Sequence, residues 1–160
     1  MSFDLLIQRA DELVARARAA LQQGGPTGRH SFFVFESVTD DPVECAFKIS
    51  TGGVGLMEQA FHKAVEDGSP AVLVISDMWV AKQNQVEDGK SLAEVVGRRS
   101  ALVAFLHLPD GTSHVREQIY ADENGTRYFI DRGWKQSNGV LRGLFANPWL
   151  GTHTDTHISS

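Results

Sequence analysis

The chain has 160 residues, of which 42% are hydrophobic and 22% charged, a balance typical of a globular domain with its own core. Its net charge of −5 argues against nucleic-acid binding, because affinity for phosphates comes mainly from lysine and arginine. No apolar run approaches the roughly 18 residues of a membrane span, and the lone Cys45 excludes an intramolecular disulfide. We therefore predict a single soluble, cytoplasmic domain, residues 1–160, that needs no metal or cofactor to fold.

Two amphipathic helices are predicted, because apolar residues recur at the 3.6-residue helical spacing. The first covers residues 3–22, and the second covers about residues 56–66. The predicted strands cover residues 32–36, 43–49, 71–80, 100–108, 113–121 and 126–131. The run 71–80 is almost entirely apolar, which indicates a central strand covered on both faces. Together these elements predict an α+β fold: a mixed or largely antiparallel sheet of about six strands with both helices packed on one face.

Two turns fix the predicted register of the last three strands. Residues 108–112 (LPDGT) favour a three-residue loop, and Asn124-Gly125 favours a type I′ hairpin. The predicted partners are Phe105 with Val115, Ala101 with Ile119, Ile119 with Ile130, and Ala121 with Tyr128. The same loop sets His107 opposite Ser113 and sends His114 to the other face, which argues against a metal site or acid–base pair made by the two histidines.

The second face of this three-stranded meander is too apolar to lie in water. The sequence leaves two alternatives for its cover, namely the chain's own helices or a second copy in a two-fold homodimer. The C-terminal segment, residues 133–160, is a further candidate cover, either within the chain or across a dimer. The predicted partner-binding residues are Leu102, Leu106, Tyr120, Phe129 and Trp149.

A candidate polar site lies at the end of the central strand. Asp77 interrupts an apolar run, where a buried carboxylate costs several kcal/mol unless it is hydrogen-bonded or paired. Arg98 and Arg99 enter the following strand and are its expected partners, and Trp79 lies two residues beyond Asp77. A structural salt bridge is the competing interpretation of this cluster.

Two further candidates are a glycine-rich turn and a C-terminal metal motif. Gly53 and Gly55 lie just before the second helix, where backbone N–H groups could hold an anion; a flexible turn is the alternative, because the dinucleotide and Walker A patterns are both broken. His153, Asp155 and His157 alternate, so an extended chain would point all three toward one divalent ion such as zinc. An ordinary polar tail is the alternative for this motif.

The stretch from Ala71 to about Gly111, with ISDMWV followed by RRSALVAF, resembles a loosely defined group of small bacterial and phage α+β proteins that carry a Ser-acid-x-Trp strand. The resemblance covers about a quarter of the chain. It supports the strand assignments in this region and implies no catalytic residue and no activity.

The sequence contains no complete catalytic constellation, so catalytic residues stay unassigned and enzymatic activity stays open. We predict a non-catalytic binding, accessory or structural module that acts through self-association, as a homodimer, or through a protein partner. The alternative is a small metal-dependent hydrolase that uses the three C-terminal ligands with Asp77 or a nearby histidine. Neither a nucleic acid nor a membrane is expected as a partner.

Overall fold

The computed structural model describes residues 2–25, 27–38, 42–45, 53–81, 98–137, 141 and 145–150. In chain order the elements are α1 (Ser2–Gln22), β1 (His30–Phe35), β2 (Val43–Cys45), α2 (Gly53–Glu66), β3 (Ala71–Val80), β4 (Arg99–His107), β5 (Ser113–Glu123) and β6 (Thr126–Gln136). Neither helix in these ranges is long and apolar enough to cross a membrane.

The six strands form one sheet in the order β2-β1-β3-β4-β5-β6, and every neighbouring pair is antiparallel. The α+β class and the antiparallel sheet are therefore confirmed. β3 lies inside the sheet, and its first seven residues are buried. Its near-continuous apolar sequence follows from this position, because side chains on both of its faces need an apolar neighbour.

The two helices lie on opposite faces of the sheet, so the prediction that both pack on one face is wrong. Leu73 and Ile75 of β3 belong to a core that also contains α1, whereas Val72 and Val74 belong to a second core that contains α2. The physical reason is the alternation of side chains along β3, which gives this strand two apolar faces. A pair of helices on one face would leave the other face in water.

The meander has the predicted register. All four predicted partner pairs are present in the ladders β4–β5 and β5–β6. The Leu108 N–H donates to the Thr112 carbonyl at 3.0 Å, which closes the three-residue loop. Asn124 and Gly125 have φ values of 52° and 79°, the left-handed pair that a type I′ turn requires. β6 continues to Gln136, beyond the predicted end at residue 131, after a register shift opposite residues 116–118.

The left-handed turn gives a stability prediction with an internal control. Gly125→Ala is expected to lower the free energy of unfolding by about 1 kcal/mol, because a Cβ disfavours the positive φ even though no atom lies within 4 Å of it. Gly55→Ala also meets open space, but its backbone is helical, so it is expected to raise stability by about 0.5–1 kcal/mol. Urea unfolding of both variants measures the difference, and effects of equal sign would contradict the assignment of the turn.

Candidate functional site

The apolar face of the meander, for which the sequence left a helix or a second copy as the cover, is covered by α1. Leu102, Leu106 and Tyr120 are 3%, 0% and 8% exposed and share one core with the apolar residues of α1. Phe129 is partly buried against the same core, and the Arg18 guanidinium lies 4.6 Å above its ring centre. The cover is therefore the intramolecular alternative, and it leaves these residues inaccessible to a second chain.

Trp149, the fifth predicted partner-binding residue, lies on the opposite side of the sheet. It packs against the core that contains α2, together with Leu141 and Phe145. The Phe145 ring stacks on Phe105 with ring centres 4.6 Å apart. Within the described part of the C-terminal segment, Trp134 of β6 packs against the core under α1, whereas Leu141, Phe145 and Trp149 pack on the α2 face.

Polar residues on the face under α1 pair with polar residues of the helix. The Arg116 guanidinium bonds Asp11 of α1 at 2.7 Å and forms a shorter ion pair with Asp131 of β6. The Trp134 indole N–H also donates to Asp11, at 2.7 Å. The hydrogen bonds to Asp131 raise the pKa of Arg116, and in return they lower the pKa of Asp131. This network attaches α1 to β5 and β6 through hydrogen-bonded ion pairs.

Asp77 is buried as predicted, but its partner is not Arg98 or Arg99. It is 7% exposed and accepts hydrogen bonds from the Gly28 backbone N–H at 2.6 Å and from the Tyr120 hydroxyl at 2.5 Å. The expected salt bridge is therefore wrong. The reason is register: Asp77 lies opposite Leu102, whereas Arg99 lies opposite Val80 at the end of the ladder.

The hydrogen bonds of Asp77 with Tyr120 and Gly28, named the Asp77 clamp below, connect separate parts of the fold. Burial and the hydrogen bond to Asp77 raise the pKa of Tyr120 to about 12. The phenol therefore stays protonated, and its O–H donates a hydrogen bond to the Asp77 carboxylate. The Gly28 N–H belongs to the loop between α1 and β1, which Asp77 thereby ties to the middle of the sheet. A tyrosine with a raised pKa is a poor nucleophile and a poor base at neutral pH. The arrangement holds structure and does not favour proton transfer.

Trp79 and Arg98 come together, apart from the Asp77 clamp. The Trp79 ring is 45% exposed, and the Arg98 guanidinium lies 4.8 Å above its centre. Arg99 is exposed at the start of β4. The structure thus divides the predicted polar cluster into a buried hydrogen-bonded carboxylate and an exposed cation–π pair.

The remaining sequence candidates are placed as follows. Gly53 and Gly55 lie in the first turn of α2, and Gly55 is exposed. His153, Asp155 and His157 lie outside the described residues. Within the ranges that the structure describes, no group of three or more histidine, cysteine, aspartate and glutamate residues is arranged to hold a metal ion.

A buried polar cluster at the β4–β5 turn joins the C-terminal segment to the sheet. His107 Nδ1 lies 2.7 Å from the Ser113 hydroxyl, which matches their predicted pairing. The Asn147 side-chain amide donates to the Thr112 carbonyl at 3.0 Å and to Ser113 Oγ at 3.3 Å, and its own oxygen accepts from the Trp149 N–H at 2.9 Å. Sequence reasoning missed Asn147, because no local pattern links it to a turn 35 residues earlier.

The histidine and serine of this cluster lack the access that catalysis needs. His107 is 0% exposed and Ser113 is 7% exposed, so a substrate cannot reach the hydroxyl. Burial lowers the pKa of His107 to about 4, and the ring is therefore neutral at pH 7. Its Nε2 has no hydrogen-bond partner among the described residues. The cluster is best described as a clasp that holds residues 145–150 against the sheet.

An apolar groove of about 320 Å³ opens on the α2 face beside the clasp. Its apolar lining residues are Met78, Val80, Val103, Phe105, Val115 and Leu141. Glu117 and Lys135 are its charged residues. The groove can make hydrophobic contacts with a ligand. Its lining residues do not pair a nucleophile with a base.

The most accessible apolar surface among the described residues lies on β6, at the edge of the sheet. Tyr128 and Ile130 are 56% and 64% exposed, and both point to the α2 face, because they pair with Ala121 and Ile119. β5 is the sole described neighbour of β6 in the sheet, so the outer edge of an 11-residue strand is unpaired within the described residues. An exposed strand edge with apolar side chains is a template for pairing with another chain.

Comparison with known proteins finds no matching family model, no matching curated protein and no matching solved structure.

A double-mutant cycle tests whether Asp77 and Tyr120 stabilise the fold through a direct hydrogen bond. Asp77→Ala is expected to lower the free energy of unfolding by about 3 kcal/mol, because it leaves a buried hydroxyl and a backbone N–H without an acceptor. Tyr120→Phe is expected to cost about 1.5 kcal/mol. Both changes remove the same hydrogen bond, so the double variant should lose at least about 0.5 kcal/mol less than the sum of the two single losses. About 0.5 kcal/mol is the lower end of the coupling usual for residues in contact. Strict additivity in urea unfolding would contradict a direct bond.

The His107 clasp makes stability depend on pH. The folded pKa of His107 is lowered to about 4, whereas an unfolded chain has the ordinary histidine value of about 6.5. Between these two pH values the unfolded state binds a proton that the folded state does not. The contribution of His107 to the free energy of unfolding is therefore fully present above pH 6.5, and it falls by about 3 kcal/mol as the pH drops to 4. Urea unfolding from pH 4 to 8 measures this loss.

The control for the pH prediction is His107→Gln, which removes this titration and retains every other histidine. The difference in unfolding free energy between the two proteins should change with pH across this window and stay constant above it. Parallel curves for the two proteins would show that another group causes the pH dependence.

Proposed function

We propose that the protein is a non-catalytic module that acts by associating with a second copy of itself, and that β6 is its contact surface. The observation that carries this proposal is the exposed edge of β6, with Tyr128 and Ile130 mostly in water. Within the described residues, the other edge strand, β2, has three residues, against eleven in β6. Backbone pairing along β6 therefore offers the larger number of hydrogen bonds.

The use of the buried and partly buried polar groups also favours a non-catalytic role. Asp77 and Tyr120 hold each other, Asn147 and Ser113 hold the C-terminal segment, and Arg116 holds α1. Each of these groups is bonded to another part of the fold. Catalysis needs a reactive group that faces substrate, with a partner that tunes it.

The proposed interface at β6 lies at a different place from the interface that the sequence predicted. The expected face carries Leu102 and Leu106, which are buried under α1. The exposed apolar residues of β6 lie on the opposite face of the sheet. A cytoplasmic location fits the proposal, because a protein with one cysteine needs no oxidising compartment for its stability.

Sedimentation equilibrium tests the proposal. The wild-type protein is expected to sediment as a dimer with twice the monomer mass of 17.6 kDa at micromolar concentration. Ile130→Lys is expected to raise the dissociation constant at least tenfold, because each buried isoleucine side chain contributes about 1.5–3 kcal/mol and the two-fold dimer contains two.

Leu56→Lys is the matched control, since Leu56 is an exposed apolar residue of similar accessibility, 54%, on α2. It is expected to leave the dissociation constant unchanged. Circular dichroism establishes that both variants are folded. A wild-type mass that stays at the monomer value up to high micromolar concentration would overturn the proposal, and so would equal weakening by the two lysine variants.

A further inference from the structure

We infer that the two copies pair β6 with β6 in antiparallel orientation, on a two-fold axis that passes beside Phe129. This inference rests on the proposed self-association and specifies its register. It follows from three features of β6, which are the direction of its free backbone groups, the positions of its charges and the positions of its left-handed glycines.

The hairpin fixes which backbone groups of β6 face outward. In a two-residue I′ hairpin the residues that flank the turn, here Glu123 and Thr126, form a hydrogen-bonded pair, and hydrogen-bonded pairs then alternate with non-hydrogen-bonded pairs. Tyr128 and Ile130 therefore direct their backbone groups to β5. Arg127, Phe129 and Asp131 direct theirs to the free edge. These three residues supply the donors and acceptors for a second strand.

The charges on β6 select one centre of symmetry. With the axis at Phe129, Arg127 lies opposite the partner's Asp131, so opposite charges face each other twice. An axis at Arg127 or at Asp131 would set two identical charges opposite one another. An axis at residue 128 or 130 would set Phe129 opposite a charged side chain. The central register is the one that pairs all three outward residues favourably.

The glycines limit the length of regular strand in a way that agrees with this centre. Gly125 and Gly133 have φ values of 79° and 70°, and both depart from extended backbone. The segment between them, residues 126–132, has Phe129 as its midpoint. Pairing about this residue uses the whole segment in both copies, whereas any displaced axis leaves part of it unpaired.

Both faces of the joint sheet gain contacts in this register. On the α2 face, Tyr128 lies opposite the partner's Ile130 in a non-hydrogen-bonded pair, where side chains approach most closely. On the α1 face, Arg127 and Asp131 already pair with Asp122 and Arg116 within each chain. The pairing across the axis extends these contacts into a row of alternating charges across the two copies.

Disulfide trapping with single cysteines tests the register in a protein whose native Cys45 is replaced by serine. Tyr128→Cys and Ile130→Cys are prepared separately, mixed under reducing conditions so that subunits exchange, and then oxidised. The Cα atoms of residue 128 and the partner's residue 130 should be about 4.5 Å apart, within the range of about 4.4–6.8 Å for a disulfide. We expect the mixture to form a covalent dimer on a non-reducing gel.

Each cysteine variant alone is the control. In the inferred register, residue 128 and the partner's residue 128 are offset by two positions along the strand, which places their Cα atoms roughly 8 Å apart, too far for a disulfide. Efficient crosslinking of Tyr128→Cys alone would indicate an axis at residue 128, and that of Ile130→Cys alone an axis at residue 130. Either result overturns the register and leaves self-association at β6 intact.

Sedimentation equilibrium of the same proteins distinguishes a wrong register from a lack of self-association. A dimer that forms no crosslink in the mixture or in either variant alone would overturn pairing through β6. A protein that is monomeric by sedimentation would overturn the proposed function together with the register. A covalent dimer in the mixture, at least tenfold more abundant than with either variant alone, supports both.

Discussion

The structure depends on the burial of β3 on both of its faces. A strand with apolar residues on each side requires two covers, and the chain supplies α1 for one and α2 for the other. Because α1 lies across the meander, the long apolar residues of β4 and β5 on that side are buried within one chain. Within the meander, this arrangement leaves Tyr128 and Ile130 of β6 as the exposed large apolar side chains.

Buried and partly buried polar groups connect elements that are distant in sequence. Asp77 joins the loop after α1 to the sheet and to Tyr120, and Arg116 joins α1 to β6. Asn147 performs the same task for the C-terminal segment at the β4–β5 turn. A buried donor or acceptor without a partner costs about 1–3 kcal/mol, so each attachment also specifies which segments meet.

Among the described residues, the outer edge of β6 carries a row of backbone groups without a partner strand. A helix of the same chain can cover the apolar side chains of a sheet face, and α1 covers such a face here. The outward backbone groups of an edge strand need another strand or water. For this reason we propose β6, and neither covered face, as the place where a second copy binds, and the proposed register depends on one short segment.

The sequence by itself determined the features that arise from local chemistry. The two helices and the meander register follow from periodicity and from two turns, because the loop 108–112 and Asn124-Gly125 each prescribe a loop length. The burial of Asp77 was also predicted, since its apolar neighbours lie in the same strand.

The tertiary structure alone decided which surfaces meet. Periodicity identifies an apolar face but not the element that covers it, so the positions of α1 and α2 could not be derived from the sequence. The partner of Asp77 is Tyr120, 43 residues away, and the contacts of Asn147 are similarly distant. The accessible edge of β6 was missed for the same reason: whether a strand lies at the edge of a sheet depends on pairing between segments far apart in the chain.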